Sequence, residues 1–253
     1  MKQYKEHRGS ILWDAAFVFI MATQTTTKNV VLFGSSVANG LGAPNRRGWA
    51  QSLESHLYDL NPHPRHNNDT TFSNLAVIGD TSYDVEEAIR NGEAHRRRRP
   101  LGCAALSIVA VGSQDVWKDF KNKGEDLDLA GFADRMGRIA LQLFDQGDVL
   151  YVGIPTPDLP RMTAMSARFS EVTLADAAGA IREYEQTAAR VMAQAAPEGR
   201  SYQAVPLFDA SVAAGPAYTH ARDMVHPAAE GHEWIYNQVV PVFDAMVGIK
   251  GRA

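Results

Sequence analysis

Short apolar runs rich in β-branched residues, set between longer segments of helical period, constrain this chain more than any other feature. A strand hidden on both faces reads as a near-continuous apolar run, and parallel neighbours must be joined by a crossover of a dozen or more residues, usually a helix. The runs at residues 30–33, 71–75, 105–111, 149–153 and 202–206 meet the first condition. The segments at 48–60, 83–91, 129–146 and 174–195 supply crossovers. A last helix is expected to begin at Pro227, because proline fits the first helical turn, where its missing N–H is no loss. The pattern predicts an α/β fold, a three-layer α/β/α sandwich around a parallel sheet of roughly five strands.

No Pro/Gly/Ser linker or shift in composition divides the 253 residues, so one domain is expected over 29–253, preceded by an extension of residues 1–28. The start "MKQYKEHRGSILWDAAFVFIMA" places charge ahead of an apolar stretch, as a secretory signal does. Asp14 interrupts that stretch, no small-x-small cleavage site follows, and it is too short to span a bilayer. The reading favours a cytoplasmic protein, with secretion as the alternative and Met21 as an alternative start. A net charge of −4 argues against a nucleic-acid or anionic-lipid partner. The arginines at 96–99 read as a solvated helix end whose cations complement the helix dipole. The single cysteine, Cys103, excludes an intrachain disulfide and any CxxC motif, and its apolar neighbours mark it as a small core residue. Nothing in the pattern fixes an oligomeric state.

In a sandwich of this kind ligands bind outside the carboxyl ends of the strands. Four segments, "GSSVANG", "NLAVIGDTS", "VGSQD" and "GIPTPDLP", begin at such ends and should converge on one rim. Residues 155–170, with Pro155, Pro157 and Pro160, read as a long rim loop. Residues 34–42 fail as a P-loop, since five residues separate Gly34 from Gly40 and Leu41 stands where lysine is needed. They also lack the third glycine of a dinucleotide fingerprint, and neither Ser35 nor Ser36 sits in G-x-S-x-G. A serine at a strand-to-helix turn can still act as a nucleophile if a base is near. Of eight histidines, His226 has the informative context: Asp223 precedes it by three residues and a proline-started helix follows. Such a carboxylate fixes the imidazole tautomer and stabilises the imidazolium, although the same pair could simply cap the helix. A metal site built from His220, Asp223 and His226 would lack a convincing further ligand.

The first three of these segments, together with Asp223-Met-Val-His226-Pro227, resemble the blocks of the SGNH hydrolases, the GDSL-type esterases and lipases, in the family's order along residues 30–245. Gly34-Ser-Ser36-Val-Ala-Asn-Gly40 is similar to the nucleophile block, which maps the nucleophile to Ser36 and puts Ser35 where the family has aspartate. Asn74-Leu-Ala-Val-Ile-Gly79 carries the oxyanion glycine to Gly79, and Asp223-Met-Val-His226-Pro227 matches the Asp-x-x-His-Pro block at every defining position. Gly112-Ser-Gln114-Asp115 departs from Gly-x-Asn-Asp: glutamine offers the same amide on a stem one methylene longer. The resemblance implies a flavodoxin-like SGNH hydrolase fold. It also implies a serine esterase with the triad Ser36, His226 and Asp223, an oxyanion hole of Ser36, Gly79 and Gln114, and no metal or cofactor. A small-molecule ester of short acyl chain is the expected substrate. Thioesterase or lysophospholipase action at the same site, and a binding protein impaired in catalysis by Gln114, are the alternatives.

Overall fold

The computed structural model describes residues 28–59, 70–92, 106–121, 129–165 and 174–248. Strands β1 (Lys28–Gly34), β2 (Thr70–Asn74), β3 (Leu106–Ala110), β4 (Asp148–Val152) and β5 (Tyr202–Val205) form one sheet in the order β2-β1-β3-β4-β5. Every pairing is parallel; Val31, for example, lies opposite Ser73 on one side and Ser107 on the other. The helices are α1 (Trp49–Asp59), α2 (Ser82–Arg90), α3 (Ser113–Lys121), α4 (Leu129–Phe144), α5 (Leu159–Met165), α6 (Leu174–Ala195), α7 (Phe208–Ala214) and α8 (Ala229–Val247).

The two faces of β1 explain its unbroken apolar run. Val30 and Leu32 join Trp49, Leu53 and Leu57 of α1 and Ile235, Val239 and Phe243 of α8 in one buried cluster. Val31 and Phe33 point the other way, into a cluster with α2, α4 and α6 through Val85, Phe132, Met136 and Ile181. Each such side chain, fully withdrawn from water, contributes roughly 1.5–3 kcal/mol, so the strand is anchored from both layers. After β2 the chain crosses back over β1 to place β3 on its far side. The connections leaving β1 and β3 therefore diverge, and a crevice opens at their carboxyl ends.

Differences from the sequence expectation cluster on the rim. Residues 155–170 are not an unbroken loop, because α5 occupies Leu159–Met165 with Pro160 in its first turn. The "VGSQD" segment is already helical from Ser113, and α7 follows β5. Helices of seven to nine residues complete too few turns to produce a visible period. The last helix begins at Ala229, not Pro227, since Pro227 forms an antiparallel bridge with His220 and is committed to the turn before the helix. Residues 1–27, the arginines at 96–99 and Cys103 lie outside the described residues, and Lys28 is already part of β1. Among the described residues no helix is long and apolar enough to cross a membrane.

Candidate active site

The chain leaves β1 in a tight turn that places Ser36 just beyond the carboxyl end of the strand. Ser35 N–H donates to the Ala110 carbonyl (3.3 Å), Asn39 N–H to Ser35 (2.9 Å) and Leu41 N–H to Ser36 (3.0 Å). The loop after β2 is fastened against this turn. Asn74 donates its amide to the Ala38 carbonyl (3.0 Å) and accepts from Ala76 N–H (3.0 Å), while Asn39 donates to the Ala76 carbonyl (2.9 Å). Val77 N–H completes the junction at the Gly34 carbonyl (3.1 Å). Gly79 follows two residues later, exposed and with φ +92°; an added Cβ would meet nothing within 4 Å, so backbone conformation, not crowding, selects glycine there.

His226 arrives from the opposite end of the chain. Ala221 N–H donates to the His226 carbonyl (2.8 Å), Ala228 N–H to Thr219 (2.9 Å) and Asp158 N–H to Met224 (2.8 Å), and Met224 adopts φ 65° at the apex. The closed turn presents the imidazole to the turn that carries Ser36. Its Nε2 accepts from the Ser36 hydroxyl at 2.8 Å and its Nδ1–H donates to Asp223 Oδ2 at 2.7 Å. The other carboxylate oxygen accepts the backbone N–H groups of Val225 and His226, both at 3.0 Å. Partial burial pushes the Asp223 pKa up, but the three donations from His226 and Val225 outweigh it and hold the carboxyl below its ordinary value. His220, by contrast, directs Nε2 to the Thr156 carbonyl at 2.8 Å, apart from this contact line. Among the described residues no three His, Cys, Asp or Glu side chains gather as a metal-holding group.

The two turns touch at Gly42. With φ +99° and a Cβ position that would lie 3.0 Å from the His226 Cβ and against the Pro227 carbonyl, this residue leaves room for the histidine turn to close. Gly42→Ala is expected to lower turnover of an ester substrate by about tenfold or more through displacement of His226, since small misplacement of a reacting group costs up to ~10². Kinetics and a thermal melt measured together check this; an unchanged rate would show that the turns tolerate separation.

Comparison with known proteins adds the family. The sequence matches the family model GDSL-like Lipase/Acylhydrolase over residues 30–239. The chain belongs to this family. No curated protein matches the sequence. Among solved structures, TesA is 19% identical, with 87% of this chain and 99% of that chain covered and a TM-score of 0.60. The lipase/acylhydrolase from Enterococcus faecalis is 14% identical, with 89% and 99% covered and a TM-score of 0.61. A variant of Axe2, an acetyl xylan esterase from Geobacillus stearothermophilus, is 13% identical, with 89% and 97% covered and a TM-score of 0.59. At these identities the likeness to the solved structures is one of fold.

Within this GDSL-like fold, Gln114 is the second residue of α3 and half-buried. Several polar residues that sequence reading passed over hold the rim together. His232 is 2% exposed, donates Nε2–H to the Leu41 carbonyl (3.0 Å) and accepts Trp49 N–H at Nδ1 (3.4 Å); burial pushes its pKa down, which keeps it neutral. Glu185 accepts the N–H groups of Ile154 (2.8 Å), Leu207 (2.7 Å) and Phe208 (3.1 Å) and so joins the ends of β4 and β5 to α6. Burial raises the Glu185 pKa against the pull of those donors. A signal for it existed: Glu185 is a carboxylate within the buried stripe Ile181, Ala188 and Met192 of α6.

Proposed function

We propose that the protein hydrolyses carboxylic esters of short acyl chain through Ser36, His226 and Asp223. The reading is carried by one observation, the continuous line from Asp223 Oδ2 to His226 to the Ser36 hydroxyl at 2.7 and 2.8 Å. As Ser36 Oγ bonds to the ester carbon, His226 Nε2 takes its proton and the carbonyl electron pair moves onto oxygen. The backbone N–H groups of Ser36 and Gly79 and the Gln114 amide receive that oxyanion. Collapse expels the alcohol, which takes the proton from His226 and leaves an acyl-serine. Water, deprotonated by the same nitrogen, then releases the acid and restores Ser36.

Membership of a lipase/acylhydrolase family supports ester hydrolysis, and a fold shared with an acetyl xylan esterase supports the short acyl group. A fluorophosphonate probe should form one adduct, on Ser36; an unlabelled Ser36 in folded protein would leave a non-catalytic binding protein as the better reading. Gln114→Asn is expected to preserve or raise turnover of p-nitrophenyl acetate. A large loss would show that the segment has been rebuilt around the longer side chain.

A further inference from the structure

Gly79 and Gln114 sit on different segments, yet a donor serves an oxyanion only within roughly 2.7–3.1 Å of it. What joins the two segments is Asp115, the residue after Gln114. It is fully buried, and its carboxylate accepts Ser82 N–H through both oxygens (3.1 and 3.0 Å) and the Ser82 hydroxyl at 2.6 Å. Ser82 opens α2, three residues after Gly79. The intervening residues are fastened locally: Asp80 N–H donates to the Val77 carbonyl (3.2 Å), and Thr81 gives its N–H and hydroxyl to Asp84 Oδ2 (2.8 and 2.6 Å). From α4, Arg135 donates Nε–H to Ser82 Oγ (3.0 Å), placing a cation beside the pair. Burial pushes the Asp115 pKa up, with the Ser82 bonds and Arg135 opposing it.

We propose that Asp115 is a positioning residue for the oxyanion site, its grip on Ser82 setting the Gly79 segment and Gln114 at a fixed separation. The proposal rests on the ester-hydrolase reading above. A carboxylate at this junction spans the starts of α2 and α3, the two helices that carry or follow the donors. A shift of either helix is thereby passed to the other.

The test is a double-mutant cycle on the full chain with p-nitrophenyl acetate, comparing Gln114→Ala, Asp115→Asn and the double variant. Gln114→Ala should lower kcat by on the order of 10². Asp115→Asn should lower kcat by tenfold or more with KM almost unchanged, and the double variant should fall no further than about threefold below the slower single one, because the donor is already displaced. A merely structural role predicts losses that multiply. Ser82→Ala, which deletes the hydroxyl and keeps the N–H, should show the same non-additivity with a smaller loss, and it decides the question if Asp115→Asn fails to fold. Multiplying losses, or full activity in Asp115→Asn, overturn the proposal. A wild-type rate that survives Ser36→Ala overturns the hydrolase reading and this proposal with it, whereas multiplying losses on a Ser36-dependent rate overturn this proposal alone.

Discussion

Ser36→Ala is expected to reduce kcat for p-nitrophenyl acetate by on the order of 10⁶, the scale of losing the nucleophile from a triad. Among the described residues no second hydroxyl bonds to His226 Nε2. Ser35 and Ser36 are equally buried, so exposure does not separate them; the hydroxyl that His226 Nε2 receives at 2.8 Å belongs to Ser36. The fold should be indifferent, because the turn is held by main-chain bonds from Asn39 and Leu41 to the carbonyls of residues 35 and 36, which alanine leaves intact. The check is therefore paired: a melting temperature within a few degrees of the parent, together with loss of turnover and of the fluorophosphonate adduct. Turnover at the parental rate in the folded variant would refute the assignment.

The second large effect concerns Asp223→Asn, for which a loss on the order of 10⁴ in kcat is expected. Asparagine can still accept the N–H groups of Val225 and His226 at the oxygen that takes them now, so the turn survives. Its amide nitrogen then faces His226 Nδ1, across the 2.7 Å contact where the carboxylate accepts a proton. Two donors cannot share that contact, so the ring holds its proton on Nε2. In that tautomer the nitrogen facing Ser36 is a donor and has no lone pair for the serine proton. Asp223→Ala, lacking any group to enforce the wrong tautomer, should be the less damaged of the two. Parallel kinetics and melts measure the difference, and near-parental activity in Asp223→Asn would remove the carboxylate from the mechanism.

How much of this was legible without coordinates depended on the kind of signal each residue leaves. Val30 to Phe33 declared a strand buried on both faces by being apolar throughout, and the pairing of Val30 and Leu32 with one layer and Val31 and Phe33 with the other is its counterpart in space. Asp223 and His226 were readable because a three-residue spacing puts a carboxylate within reach of an imidazole whatever the fold around it. That spacing could not tell a helix cap from a pair that meets a third side chain, and the partner at Nε2, Ser36, lies 190 residues away. The hidden residues were those whose roles exist only between elements. Asp115 reads locally as an ordinary first-turn acid of α3, yet its hydroxyl and N–H partners belong to α2. Asn39 and Asn74 look like loop polarity, and become a clasp only when β1 and β2 lie side by side. Pro227 misled for a related reason: its fitness for a helix start is local, and its bridge to His220 is not.

The separation of Ser36 from His226 also bears on biosynthesis. A ribosome adds about 5–20 residues per second, so the histidine is made roughly 10–40 s after the serine. Throughout that interval the nascent polypeptide holds the Ser36 hydroxyl without its imidazole partner. The Ser36–His226 contact can therefore form only late in translation, when the turn preceding α8 docks, and a truncated product lacking that turn cannot make it however well its first strands have formed.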